Sequence, residues 1–147
     1  MHIIIGLVVV GLIGFFVYRN VDWRSPERKR ADYLALAERA KAGDERAQYQ
    51  LLMLYYEERD PQYWPLAFEW ALFVANKGED PGVMVQAGEM LAAGDGTEQN
   101  EPEALKWYER ALSVNIALGP RAVLDKEEQN ELEKLIFRMR EKYPPQI

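Results

Sequence analysis

Two segments of this 147-residue chain repeat one pattern at an offset of 35 to 37 residues. Gly43 recurs as Gly78, and the quartet Ala-Phe-Glu-Trp at 67–70 recurs as Ala-Leu-Lys-Trp at 104–107. Self-similarity at such a period is typical of stacked helical pairs, because one pair alone cannot bury its apolar face. The sequence therefore predicts an all-α solenoid of about two αα-hairpin repeats.

After residue 26, the sequence has the pattern of a series of separate helices. Apolar residues recur there at steps of three and four, and no alternation of apolar and polar residues suggests a strand. Six helices are predicted, at 27–42, 44–58, 65–76, 81–93, 100–113 and 125–142. Capping boxes are expected at Asn100 with Glu103 and at Asp125 with Glu128, while 113–120 is expected to be irregular or a short helix. The first and last helices would cap the two ends.

The repeat pattern also predicts which side chains pack between helices. Small residues allow two helices to approach, and aromatic residues fill the remaining space. The predicted repeat-packing residues are Ala47, Tyr55, Ala67, Trp70, Ala104 and Trp107.

Residues 43–51 (GDERAQYQL) and 104–112 (ALKWYERAL) resemble the two signature halves of Sel-one-like repeats, a subclass of tetratricopeptide-type helical repeats. The turn at 92–96 (AAGDG) is similar to the turn of that family, and the resemblance extends over about 31–112. It implies a repeat domain at 31–147 that acts as a non-catalytic scaffold for protein complexes, often at membranes.

An apolar run near the N-terminus predicts a membrane anchor over residues 1–21. The 16 residues from Ile3 to Tyr18 carry no charge. As a helix they cover roughly 24 Å of a hydrocarbon core about 30 Å thick. A cleaved signal peptide would need a basic start and a small-residue cleavage site, and a core helix would need a polar stripe. The run shows none of these features.

Residues around this anchor have predicted roles at the bilayer. Gly6 and Gly14 share a helix face that either packs against another membrane helix or faces lipid. The predicted interface residues are Tyr18, Arg19, Trp23 and Arg24.

The short linker at 22–30 sets the expected orientation. Five basic residues against two acidic ones follow the apolar run, within 19–30. The positive-inside rule then places the N-terminus outside and the repeat domain in the cytoplasm, at a bacterial inner membrane. The alternative is a periplasmic repeat domain that binds envelope proteins or glycans.

Composition excludes several kinds of chemistry. The chain has no cysteine and one histidine, His2. Without cysteine it cannot form a disulfide or use a thiol nucleophile, and with His2 as its single imidazole neither a histidine zinc cluster nor a Ser-His-Asp triad is expected. A pI near 4.9 argues against nucleic acid as a partner. Acidic clusters at 57–60 and 127–131 are interpreted as solvated surfaces, and a carboxylate enzyme is the less favoured alternative.

The predicted function is that of a membrane-anchored scaffold, adaptor or accessory subunit of a membrane complex. No enzymatic activity, cofactor, metal or small-molecule substrate is expected, and the partners are other proteins and the bilayer. Tyr56, Tyr63 and Trp64 are the predicted partner contacts, because aromatic residues in a turn are typical of binding hot spots. Alternatively, Tyr63 and Trp64 fold back to fill the space left by a missing glycine turn.

Overall fold

The computed structural model describes residues 22–58 and 60–145, which form helices and contain no strand. The helices are α1 (Pro26–Lys41), α2 (Glu45–Leu52), α3 (Leu54–Glu57), α4 (Trp64–Asn76), α5 (Pro81–Ala93), α6 (Glu101–Leu118) and α7 (Lys126–Lys142). Short 3-10 turns lie at Pro61–Tyr63 and Gly119–Arg121. The prediction of an all-α fold is confirmed for this part of the chain.

The described residues divide into two compact units, the first ending at Ala35 and the second beginning at Leu36. In the described part of the first unit, the Arg24 guanidinium pairs with Asp22 at 2.8 Å and with Asp32 at 2.9 Å. The hydrogen bonds from Arg24 hold the pKa of the Asp22 carboxyl well below its usual range. Among the helices described, none is both long and apolar enough to span a bilayer. The predicted anchor at 1–21 lies outside the described residues.

In the second unit, the long helices pack in chain order. Helix α2 contacts α4, α4 contacts α5, α5 contacts α6, and α6 contacts α7. Helices α5 and α6 approach closely at Gly88, where an added β-carbon would lie 2.6 Å from the Tyr108 ring. Each helix thus buries its apolar face against its neighbours in sequence.

Side-chain caps fix where these helices begin. The side chains of Asp44, Asp80 and Asn100 each accept a hydrogen bond from the backbone N–H three residues later. At Asp125 the full capping box with Glu128 forms, as predicted. Such caps satisfy N–H groups that have no partner inside the helix. The box expected at Asn100 is only half formed, because the Glu103 carboxylate pairs with Lys106 at 3.0 Å.

The helix predicted at 44–58 is divided at Met53 by a long-range contact. The buried Gln86 amide donates to the Leu52 carbonyl at 2.7 Å. In a regular helix that carbonyl would accept from the N–H of Tyr56. The Tyr56 N–H instead donates to Met53 at 3.0 Å, so α2 ends and α3 starts at this point.

Helix α6 is longer than predicted and ends at Leu118, before Gly119. The reason is Asn115, a poor helix former that is nevertheless 1% exposed and fully hydrogen-bonded. It accepts from the backbone N–H groups of Val123 and Leu124, and it donates to the Leu124 carbonyl and to Gln129. These bonds hold the segment 119–125 against the extended helix.

The two helical pairs, α2 with α4 and α5 with α6, share several features at corresponding positions. Gly43 and Gly78 both have positive φ, at 97° and 81°. Each is followed by an aspartate cap, Asp44 or Asp80. The matched quartets at 67–70 and 104–107 each place a fully buried alanine and a buried tryptophan in the core.

Candidate protein-binding surface

Three large side chains form an exposed row along α2 and α3. Tyr49, Met53 and Tyr56 are 41%, 37% and 56% exposed. Their spacing of four and three residues places them on one side of a helical segment. We call these three residues the tyrosine row. A contiguous group of large exposed apolar side chains is typical of an interaction surface, whereas single ones are common anywhere.

Acidic residues of α5 and its two ends lie beside the row. The Tyr49 hydroxyl donates to the Asp80 carboxylate at 2.7 Å, and the Tyr56 hydroxyl donates to Glu89 at 2.9 Å. A third phenol, that of the half-buried Tyr55, donates to Asp95 at 2.7 Å. Asp80 precedes α5 and Asp95 follows it, so the three bonds extend along about 20 Å of helix.

The electrostatics of this surface are dominated by carboxylates. Partial burial, the hydrogen bond to Asp80 and the nearby Glu45 and Glu79 raise the pKa of Tyr49 to about 12. Burial and Glu89 together raise the pKa of Tyr108 to about 12. The pKa of Tyr56 is raised by burial first and then by Glu89. The phenols therefore stay protonated and act as donors at neutral pH.

Three carboxylates of this surface, Asp80, Glu89 and Asp95, accept from phenols, and none of its acids has a basic partner among the described residues. Within the described ranges, no Lys or Arg lies within salt-bridge distance of the acids around the row. These acids are Glu45, Glu79, Asp80, Glu89 and Asp95. A carboxylate offers about four acceptor positions, so one phenol leaves most of them open.

The predicted partner contacts have different environments. Tyr56 is exposed, as a contact must be. Tyr63 is only 8% exposed. Trp64 is half-buried: its indole N–H donates to the Glu58 carbonyl at 3.2 Å, and its ring lies 5.6 Å from the Tyr55 ring. The positions of Tyr63 and Trp64 favour the alternative in which both fold back and fill the turn.

The predicted repeat-packing residues lie in the core, with one exception. Ala47, Ala67, Ala104, Trp70 and Trp107 are buried. Tyr55 is half-buried, and its hydroxyl reaches Asp95.

Of the predicted membrane residues, the structure describes only two. Trp23 is 67% exposed, and Arg24 is exposed and paired with acids of its own unit. Gly6, Gly14, Tyr18 and Arg19 lie outside the described residues.

The acidic clusters noted in the sequence serve local structure. Asp60 caps the 3-10 turn by accepting from the Gln62 N–H, and Glu58 accepts from the Asp60 N–H. Glu128 belongs to the capping box, and Glu131 pairs with Lys134 at 2.6 Å. Residues 22–58 and 60–145 contain no group of three or more acids or histidines arranged to hold a metal ion.

A groove of about 1010 Å³ between α6 and the C-terminal segment is a weaker candidate. Its basic residues already pair with acids: Arg140 with Glu109 at 2.7 Å, Lys142 with Glu101 at 2.5 Å, and Lys106 with Glu103 at 3.0 Å. The groove therefore offers little uncompensated charge to a ligand.

Sequence reasoning missed Tyr49, Met53 and the acids opposite them. The spacing of Tyr49, Met53 and Tyr56 is visible in the sequence, but the same spacing is equally typical of a helix face that packs in the core. The pairing with Asp80 and Glu89 joins residues 31 and 33 positions apart, which no local pattern shows.

No protein-family model matches this chain, and no curated protein is significantly similar to it.

Proposed function

We propose that this chain is a membrane-anchored protein-interaction module, acting as a scaffold or accessory subunit of a bacterial inner-membrane complex. In this proposal residues 31–147 form a Sel-one-like, tetratricopeptide-like repeat domain in the cytoplasm, and residues 1–21 anchor it. The observation that carries the proposal is the tyrosine row, a set of exposed aromatic and methionine side chains on a helical surface. Such residues are enriched where proteins bind one another.

The repeat assignment is supported by the matched turns, caps and buried tryptophans of the two helical pairs. Packing of each long helix against the next in sequence also fits a solenoid of paired helices. Solenoids present extended surfaces made from successive repeats, and the tyrosine row with α5 joins the first helical pair to the second.

The anchor is supported by the uncharged run from Ile3 to Tyr18 and by the basic residues that follow it. Anchoring confines a domain near the bilayer and raises its effective concentration toward other membrane proteins. A modest intrinsic affinity is then sufficient for assembly.

Photo-crosslinking in cells tests the interaction. A crosslinking amino acid at position 56 of the full-length chain should give discrete products with one partner or a small set of partners. The same amino acid at position 116 is the matched control, because Tyr56 and Ile116 are 56% and 57% exposed. Equal products at both positions, or none at position 56, would argue against a binding surface at the tyrosine row.

Reporter fusions at the C-terminus test the orientation. A cytoplasmic repeat domain predicts activity of a fluorescent protein that folds only in the cytoplasm, and no activity of alkaline phosphatase. The reverse result would support the periplasmic alternative. Release of the full-length chain from membranes by carbonate would contradict the proposed membrane anchor.

A further inference from the structure

We propose that the tyrosine row binds a Lys/Arg-rich polypeptide segment that also carries apolar side chains, namely the basic cytoplasmic flank of another membrane protein. This inference rests on the proposed function and names the partner class for the same surface. Two observations carry it: the exposed row on α2 and α3, and the carboxylates beside it, which have no Lys or Arg partner within residues 22–58 and 60–145.

The row supplies the apolar part of the contact. Tyr49 and Tyr56 offer wide ring faces with few rotatable bonds, and Met53 between them adapts to different shapes. The phenols are already oriented by Asp80 and Glu89, at 2.7 Å and 2.9 Å. Binding therefore costs little side-chain ordering on this side of the interface.

The carboxylates select the charge of the partner. Glu89 lies among the rings of Tyr55, Tyr56 and Tyr108, whose pKa values it helps to raise. A guanidinium there could pair with the free acceptor positions of Glu89 while stacking on a tyrosine face. At the other end of the row, the carboxylates of Glu45, Glu79 and Asp80 lie near the Tyr49 ring and offer acceptors to a second basic side chain. An acidic segment or a nucleic acid would be repelled from both ends.

The proposed tether determines which basic segments are within reach. Cytoplasmic flanks of membrane proteins carry an excess of Lys and Arg close to the bilayer. An acidic surface is repelled by anionic headgroups, so the bilayer does not compete for it. The juxtamembrane segment of a neighbouring membrane protein is thus the occupant that combines the right charge with the right location.

Binding of labelled peptides to the full-length chain in a neutral detergent tests the inference. The probe is a 14-residue helical peptide with leucine on one face and Lys/Arg on the other. One comparison peptide has Glu in place of every Lys and Arg, and a second has Ser in place of every leucine. We expect the basic amphipathic peptide to bind, the Glu peptide not to bind, and the Ser peptide to bind at least about tenfold more weakly.

Charge-neutral variants separate a specific site from general attraction. The double variant Glu79→Gln/Glu89→Gln should weaken binding about tenfold, since two ion pairs are lost. The control Glu133→Gln/Glu141→Gln removes the same formal charge from α7 and should change the dissociation constant less than twofold. Truncation by Tyr56→Ala should also weaken binding, and circular dichroism checks that each variant remains helical.

Several outcomes would overturn the inference. Equal weakening by both double variants would show attraction by net charge alone, and tighter binding of the Glu peptide would contradict the stated partner class. If position 56 crosslinks in cells to a segment poor in Lys and Arg, this inference fails while the proposed function stands. If position 56 gives no crosslink above the position 116 control, the proposed function fails as well.

Discussion

The backbone of Gly96 packs directly on Trp64. A β-carbon at residue 96 would lie 2.4 Å from the Trp64 carbonyl oxygen, and the φ of Gly96 is +70°. Both facts require glycine, because other residues rarely adopt this φ and no side chain fits the space. The turn after α5 therefore packs against the first residues of α4.

Replacement of Gly96 by alanine should lower the free energy of unfolding by about 3 kcal/mol or more, combining left-handed strain with a backbone clash. Gly43→Ala is the control, because Gly43 has a φ of +97° but no atom within 4 Å of the added carbon. Gly43→Ala should lower the free energy of unfolding by only about 1–2 kcal/mol. Urea unfolding of the full-length chain, followed by circular dichroism, measures both values, and equal losses would contradict the close packing.

The close contact between Gly88 and Tyr108 predicts that the effect of Gly88→Ala on stability depends on which residue occupies position 108. Alanine is favoured over glycine inside a helix by about 1 kcal/mol, yet here its β-carbon would lie 2.6 Å from the buried Tyr108 ring. Gly88→Ala should therefore destabilise the chain by about 1–2 kcal/mol, net of that gain. In a Tyr108→Leu background the same change should be neutral or stabilising. A double-mutant cycle from thermal unfolding measures this coupling, and a coupling energy near zero would refute the clash.

Asn115→Ala should cost about 2–3 kcal/mol, because it removes four hydrogen bonds and leaves partly buried backbone groups without partners. Asn115→Asp retains the acceptor for Val123 and Leu124 but places a buried carboxylate oxygen against the Leu124 carbonyl and the Gln129 amide oxygen, so its cost at neutral pH should be at least as large. Asn130 is exposed on α7, and Asn130→Ala should change stability by no more than about 0.5 kcal/mol. Denaturant midpoints compare the three variants. Similar values for positions 115 and 130 would show that the buried amide is dispensable.

The raised pKa of Tyr49 predicts a dependence of stability on alkaline pH. Its folded pKa of about 12 exceeds the ordinary value near 10, so the proton is held more tightly in the folded state. This contribution is present below about pH 10 and is lost as the pH rises through 12. Tyr49→Phe should be less stable than the natural chain at pH 8, and the difference should shrink by pH 12. Urea midpoints at pH 8, 10, 11 and 12 measure this difference in stability. If the difference stays constant with pH, the stability is not linked to the Tyr49 proton.

Local signals in the sequence were sufficient for most helix boundaries. Helix α5 starts at Pro81 after the Asp80 cap and ends before Gly94, as predicted, because a cap, a proline and a left-handed glycine act on adjacent residues. The capping box at Asp125 is equally local. The burial of Ala67 and Trp107 agrees with the packing role that the repeat pattern predicts for them.

Long-range contacts explain what the sequence could not reveal. The break at Met53 depends on Gln86, a residue 34 positions after the carbonyl that it binds. The continuation of α6 depends on Asn115 and its bonds to the segment before α7. The candidate surface is predictable only in part: the spacing of the tyrosine row is local, but its acidic partners come from another helix.

Because each long helix in the second unit packs against its successor along the chain, few of its contacts require distant residues to meet. Proteins dominated by local contacts fold quickly. During synthesis, the pair of α2 and α4 has all of its own residues by Asn76, before α5 begins at Pro81. The domain can therefore assemble pair by pair as it leaves the ribosome, and each completed pair supplies a surface on which the next helix forms.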